Sequence, residues 1–214
     1  MKLRKLFAMT IAAIMAVSTM AISVSAEETN DKLIASIPNG NSEIIEIYES
    51  DLENGEFTTQ WGDFSVTIEV GEVNTIPMNL LSTRASLSFV NGRTTPARSK
   101  TNAQEVSTSF ATGNFSIARG VTACTYDYYK PASNINVIRY TFTPSASGGL
   151  GGEVAGTVYC LNSVNDPMII NIYSNPVSAT IRDMTSDALT YATVTNNSYS
   201  GTATGSCSVS GMNN

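Results

Sequence analysis

Histidine is absent from the sequence, tryptophan occurs once, cysteine occurs three times, and charged residues make up only 14% of the 214 positions. Without an imidazole the chain has no serine-histidine or cysteine-histidine catalytic pair and no histidine zinc site. It also lacks the side chain whose ordinary pKa lies near neutrality. These absences exclude the commonest kinds of hydrolase and zinc enzyme, and they favour a protein that acts without catalysis.

Amphipathic helices and metal-binding loops are also missing. No window repeats apolar residues at the spacing of a surface helix. Residues 162–166 and 183–187 each offer oxygen ligands, but they have too few acids for a calcium loop and are predicted to be turns. A glycoside hydrolase would need two carboxylates such as Asp127 and Glu153, but no aromatic cleft motif surrounds them. We therefore expect no enzyme activity, no metal and no cofactor.

The first 26 residues have the organisation of a secretory signal peptide. Three basic residues precede an apolar run over residues 6–17, and small residues lead up to Ala26. The run is shorter than the ~20 apolar residues that cross a bilayer. The sequence thus predicts cleavage after Ala26 and a mature chain that begins at Glu27. It predicts a secreted, extracellular protein with no membrane span after signal removal.

Charge divides the mature chain into two parts. Residues 27–83, the acidic segment, hold twelve acidic residues against Lys32 alone, a net charge of −11. From Arg84 onward eight basic residues stand against six acidic ones, a net charge of +2. Such an asymmetry indicates a boundary. The acidic segment is either a solubilising part of the working protein or a pro-region removed by cleavage near Arg84. Neither charge balance supports nucleic acid as a partner.

The hydrophobic pattern predicts an all-β protein. In the acidic segment, residues 43–48 and 64–70 are strand candidates, and a turn sequence containing Asn54 and Gly55 lies between them. Later strand candidates are residues 85–90, 106–111, 114–118, 121–129, 135–143, 153–161, 168–173, 177–182, 189–195 and 199–209. Short strands with regular turns predict an antiparallel β-sandwich, Ig-like or jelly-roll-like, over residues 84–214. A small acidic N-terminal β segment precedes it.

Two of the strand candidates have one face made largely of small residues. The two faces consist of Gly201, Ala203, Gly205, Cys207 and Val209 in one strand and of Val154, Gly156, Val158 and Cys160 in the other. A face without bulky side chains allows another layer to approach closely. We expect both faces inside the sandwich, with a solvated edge strand as the alternative.

The odd number of cysteines limits the disulfides that the chain can form. Cys124, Cys160 and Cys207 allow three pairings, of which at most one can exist within one chain. We favour Cys160 with Cys207, because both lie on small-residue faces of strands that could be neighbours. The alternative is three buried thiols that pack as small apolar residues.

Residues 124–129 supply the first candidate binding residues. Alternation puts Cys124, Tyr126 and Tyr128 on one face, which is predicted to be core, and Tyr129 on the opposite face. Tyr129, beside Asp127 and ahead of a turn, is therefore the candidate for stacking on a glycan or contacting a protein partner.

Two further features have open interpretations. Trp61 either fixes the acidic segment to the body or is an exposed binding aromatic. Residues 93–104, the basic loop, contain Arg93, Arg98 and Lys100 without apolar periodicity. We expect this loop to be solvated, with anion binding as the less favoured alternative.

The sequence as a whole favours a secreted, non-catalytic β-sandwich that binds an extracellular protein or glycan. The main alternative is an antibacterial or toxin-like protein that matures by loss of the acidic segment. The two differ in the fate of residues 27–83, which only the alternative requires to be removed.

Overall fold

A computed structural model describes residues 31–38, 43–71, 87–108, 110–144, 154–161, 167–173, 176–198 and 201–213. Within these ranges the chain forms fifteen strands, two short 3₁₀ turns and no α-helix. The strands make two sheets, antiparallel except for one parallel pair, and the sheets pack against each other. The predicted all-β sandwich is confirmed.

Sheet A has nine strands and sheet B has six. Sheet A consists of β1 (Leu33–Pro38), β2 (Ile44–Tyr48), β5 (Phe89–Asn91), β6 (Gln104–Val106), β8 (Val121–Thr125), β9 (Tyr129–Pro131), β11 (Val154–Leu161), β12 (Met168–Ile172) and β14 (Leu189–Asn196). Sheet B consists of β3 (Glu56–Trp61), β4 (Phe64–Val70), β7 (Phe110–Ala118), β10 (Val137–Pro144), β13 (Val177–Arg182) and β15 (Thr202–Met212). The order is β2-β1-β12-β11-β14-β8-β5 in sheet A, with β9 pairing β14 and β6, and β3-β4-β13-β10-β15-β7 in sheet B.

The four strands of the acidic segment are members of these sheets. The β1–β2 hairpin extends sheet A by pairing with β12, and the β3–β4 hairpin extends sheet B by pairing with β13. Strands β2 and β4 follow the two predicted candidates, whereas β1 and β3 lie outside both. Asn54 and Gly55 have the positive φ values expected of their turn. The acidic segment thus borders both sheets along one side of the sandwich.

Small residues let the layers approach as predicted. Gly156 of sheet A lies under the ring of Phe142 from sheet B, and a Cβ at position 156 would be 3.0 Å from that ring. Gly205 lies beneath Phe115 of the neighbouring strand. At Gly113 a Cβ would be 2.2 Å from the backbone oxygen of Leu87, so this position requires glycine for close packing. Strand β7 runs unbroken through this glycine, which was predicted to end a strand.

The predicted disulfide between Cys160 and Cys207 is wrong: all three cysteines are free and buried. Cys160 lies on β11 of sheet A and Cys207 on β15 of sheet B, so the two strands are not neighbours in one sheet. The alternative of three buried thiols is the arrangement found. Burial raises the pKa of Cys124 and of Cys160 to about 12 and also raises that of Cys207.

The buried thiols are expected to be inert in the folded protein. Because only the thiolate reacts and burial disfavours it, a thiol reagent at pH 8 should label none of the three cysteines natively and all three in guanidinium. Intact mass should be the same before and after reduction. A gain of about 2 Da on reduction would instead reveal a disulfide.

Candidate functional site

Three tyrosines gather on the outer face of sheet A, the face turned away from sheet B: Tyr128, Tyr159 and Tyr191. Tyr126 lies in the bend after β8, two residues before Tyr128, and the four together are called the tyrosine face. The inner face of each strand supplies the core, and alternation turns the tyrosines outward: Tyr159 lies between the core residues Val158 and Cys160.

Ring contacts order the centre of this face. Tyr159 and Tyr191 are directly opposite each other on β11 and β14, and their rings stack with centroids 4.4 Å apart and planes 4° from parallel. Tyr128 meets Tyr191 edge to face at 5.5 Å. Such aromatic pairs stabilise by ~0.5–1.5 kcal/mol beyond burial alone. Tyr128 and Tyr191 are buried and support Tyr159, which is half-buried.

The basic loop lies beside the tyrosine face and holds its outermost ring. Arg98 N–H donates to the Tyr126 carbonyl at 3.0 Å, and Gln104 N–H donates to the Tyr128 carbonyl at 2.8 Å. Ala103 packs against the cluster of Tyr128 and Tyr191. Tyr126 itself is 41% exposed, and the Arg98 guanidinium lies 5.7 Å from the centre of its ring.

Asp127 holds the basic loop in place through contacts with Gln104 and Arg98. Its carboxylate is buried, accepts a hydrogen bond from Gln104 Nε2 through Oδ2, and has Oδ1 3.2 Å from Arg98 Nη1. Arg98 and Asp127 are close enough to form an ion pair, but the contact does not have the geometry of a hydrogen bond. Oδ1 of Asp127 therefore has no hydrogen-bond partner among the described residues. The guanidinium is thus attracted to Asp127 while its side chain stays 45% exposed.

A polar network stiffens the same face on the far side of the tyrosines. Thr157 Oγ1 donates to Asn171 Oδ1 at 3.1 Å, Asn171 Nδ2 donates to Ser36 Oγ at 3.3 Å, and Ser36 Oγ lies 3.2 Å from the Tyr173 hydroxyl. These bonds join β11, β12 and β1 side chain to side chain. Side-chain contacts therefore hold the outer face of sheet A in place across four strands, β14, β11, β12 and β1.

Burial also fixes the protonation state of the inner tyrosines. It raises the pKa of Tyr191 above its usual value, with Tyr159, Cys124 and Tyr128 adding to the effect. It raises the pKa of Tyr128 as well, where Cys124 adds to the rise and Arg93 opposes it. The Tyr128 and Tyr191 hydroxyls therefore stay neutral to higher pH than an exposed tyrosine does.

The prediction that Tyr129 is exposed is wrong. Tyr129 is fully buried in the main core and meets Tyr140 edge to face at 6.5 Å. Cys124 and Tyr128 share a face as alternation predicted, but that face is the outer one, so Tyr129 points inward. Tyr126, which was predicted to be core, is 41% exposed. The chain bends at Tyr126 and Asp127, between β8 and β9. Asp127 accordingly lies at the site, and Tyr129 lies beneath it in the core.

The other predicted positions lie elsewhere. Trp61, at the end of β3, is half-buried against the main core, in line with the interpretation that it fixes the acidic segment to the body. Because β3 is an edge of sheet B, Trp61 is not part of the tyrosine face. Ala26, Arg84 and Glu153 lie outside the described residues.

Sequence reasoning did not select Tyr159, Tyr191 or Arg98. The pattern that could have found Tyr159 was present, since Val158 and Cys160 were assigned to the inner face and a tyrosine between them must point outward. Arg98 was recognised only as part of a basic loop. Its position over Tyr126 depends on hydrogen bonds between that loop and residues 126–128, which no local pattern encodes.

The described part of the chain contains no group of three or more metal-ligating side chains and no helix long and apolar enough to cross a membrane. No family model, no curated protein and no solved structure matches the chain. What the protein does must therefore be inferred from its own geometry.

Proposed function

We propose that the protein is a secreted, non-catalytic binding module that attaches to an extracellular glycan or protein through the tyrosine face. The observation that carries this proposal is a pair of rings that keep accessible surface: Tyr159, which buried tyrosines hold on the sheet, and Tyr126, which the basic loop holds. Tyrosine combines a flat apolar ring with a polar hydroxyl, which suits a ligand that is itself partly apolar and partly hydrogen-bonding.

Rigidity supports a role in binding. Tyr159 is fixed by stacking, Tyr126 by the loop, and Asp127 by Gln104 and Arg98, so little side-chain freedom is lost when a ligand arrives. Loops positioned by a rigid scaffold are common binding sites. The basic loop on sheet A has this arrangement.

Replacing either accessible tyrosine should weaken binding without unfolding the protein. For Tyr126→Ala and Tyr159→Ala we expect Kd for the bound polymer to rise roughly 3- to 10-fold each, the equivalent of one aromatic contact. A screen of the mature chain against glycans and extracellular matrix proteins, followed by titration of the variants, measures this.

Tyr48→Ala is the matched control, because Tyr48 is a half-buried tyrosine on β2 at the far edge of sheet A. Its Kd should equal that of the parent chain. Equal weakening in all three variants, or none in Tyr126→Ala and Tyr159→Ala, would show that binding uses another surface.

The antibacterial or toxin-like alternative stays a prediction, and no contact in the described residues favours it. It requires loss of the acidic segment, whose four strands belong to both sheets. An intact mass beginning at Glu27 for the protein recovered from culture medium would support the binding module, and a mass beginning near Ala85 would support the alternative.

A further inference from the structure

Basic residues lie along one side of the tyrosine face of an otherwise acidic protein. The basic loop carries Arg93, Arg98 and Lys100, all exposed, and contains no acid. Strands β11 and β14, which hold Tyr159 and Tyr191, contain no charged residue. Nearby, Lys130 of β9 is paired with Glu105 at 3.2 Å, and Asp127 is buried under Arg98. The basic loop therefore presents positive charge beside the rings.

The acidic segment does not cancel this local charge. Strand β2 lies three strand positions from β11, the strand of the tyrosine face nearest to it in sheet A. At about 4.8 Å per strand the separation is roughly 14 Å, which exceeds the Debye length of about 8 Å at physiological salt. The β3–β4 hairpin lies at the edge of sheet B opposite β7, the strand that leads into β8. A ligand at the tyrosine face thus meets the basic loop and is screened from the acidic segment.

Contacts with Tyr126 and Asp127 orient the positively charged guanidinium of Arg98. Its guanidinium is held between the Tyr126 ring at 5.7 Å and Asp127 Oδ1 at 3.2 Å. A guanidinium has five N–H donors in a planar fork, and the Asp127 contact engages Nη1. With 45% of the side chain exposed, donors remain for a carboxylate that arrives beside the ring.

From this juxtaposition we infer that the ligand is an acidic polysaccharide, whose sugar rings stack on Tyr126 and Tyr159 while its carboxylates pair with Arg98 and the basic loop. The inference rests on the proposed function and names the ligand class of the same face. A neutral glycan would leave the cations unused. A polyanion without sugar rings would leave the tyrosines unused.

Three polymers separate these contributions: polygalacturonate, which has both rings and carboxylates; dextran, which has rings alone; and polyphosphate, which has charge alone. We expect the mature chain to bind polygalacturonate at least tenfold more tightly than dextran or polyphosphate at 0.15 M NaCl. Arg98→Gln should weaken polygalacturonate binding about tenfold, and Lys100→Gln should weaken it about threefold. Arg119→Gln, an exposed arginine at the opposite end of β8, should bind as the parent chain does.

The outcomes are distinct. Equal affinity for dextran and polygalacturonate, with Tyr126→Ala weakening both, would overturn the acidic ligand and leave the proposed function standing. If the mature chain binds polyphosphate as tightly as polygalacturonate, and Tyr126→Ala does not weaken this binding, then the site recognises charge alone. That result would overturn the proposal of a glycan ligand. Binding of no polymer and no matrix protein would overturn both proposals. Lys100 is an exposed loop residue, so Lys100→Gln keeps the test decisive even if Arg98→Gln disturbs Asp127.

Discussion

A chain that begins at Ala85 should fail to fold. Deleting the acidic segment removes β1 to β4 and exposes the edges of β12 and β13. It also removes six large core side chains: Ile34, Ile37, Ile47, Phe64, Val66 and Ile68. At ~1.5–3 kcal/mol each, these contribute roughly 9–18 kcal/mol. The free energy of unfolding of a whole domain is only ~5–15 kcal/mol. We therefore expect the chain that begins at Ala85 to show no cooperative unfolding transition when it is heated and followed by circular dichroism.

Deletion of residues 27–30 alone is the control, because it ends before β1 and keeps every strand. That variant should unfold within a few degrees of the mature chain. Cleavage at a protease site inserted after Arg84 should leave the two fragments together in gel filtration. A cooperative melt of the chain starting at Ala85, near the temperature of the mature chain, would contradict this view of the acidic segment.

Gly205→Val in β15 should strongly destabilise the protein. A Cβ at position 205 would lie 2.6 Å from the Phe115 ring and 2.7 Å from the Thr143 backbone oxygen. The ring can turn aside, but the oxygen belongs to the neighbouring strand β10 and can move only with that strand. We expect about 3 kcal/mol of destabilisation, the upper part of the usual range for overpacking, measured by denaturant titration.

Ser206→Val is the matched control, because it puts the same side chain one residue further along β15 on the outer face of sheet B. Valine suits a strand, and the free energy of unfolding should change by less than about 0.5 kcal/mol. Equal losses at positions 205 and 206 would show that the close packing around Gly205 is not what limits the substitution.

Alternation predicted much of the sandwich because a period of two is a local property of the chain. Phe64, Val66 and Ile68 are buried as their pattern requires. The small inner faces of β11 and β15 hold Gly156 and Gly205 in the close contacts expected of them. In such strands one face has clearly smaller or more apolar residues, so its direction follows from the sequence.

Alternation could not say which face of residues 124–129 meets the core, because both faces carry residues able to be buried. Tyr128 is covered on the outer side by the basic loop, and Tyr129 is buried on the inner side. The pairing of β1 with β12 joins residues more than a hundred positions apart, and no local pattern specifies such a partner. For the same reason the site, built from β11, β14 and the basic loop, was only partly foreseen.

Side-chain footprinting with hydroxyl radicals tests the central claim, that the tyrosine face is the binding surface, most directly. The mature chain would be labelled with and without saturating ligand, and the modification of each tyrosine would be measured by mass spectrometry. The account predicts that the ligand protects Tyr126 and Tyr159 and leaves Tyr48 unchanged. Unaltered labelling of Tyr126 and Tyr159, with protection confined to other residues, would contradict it.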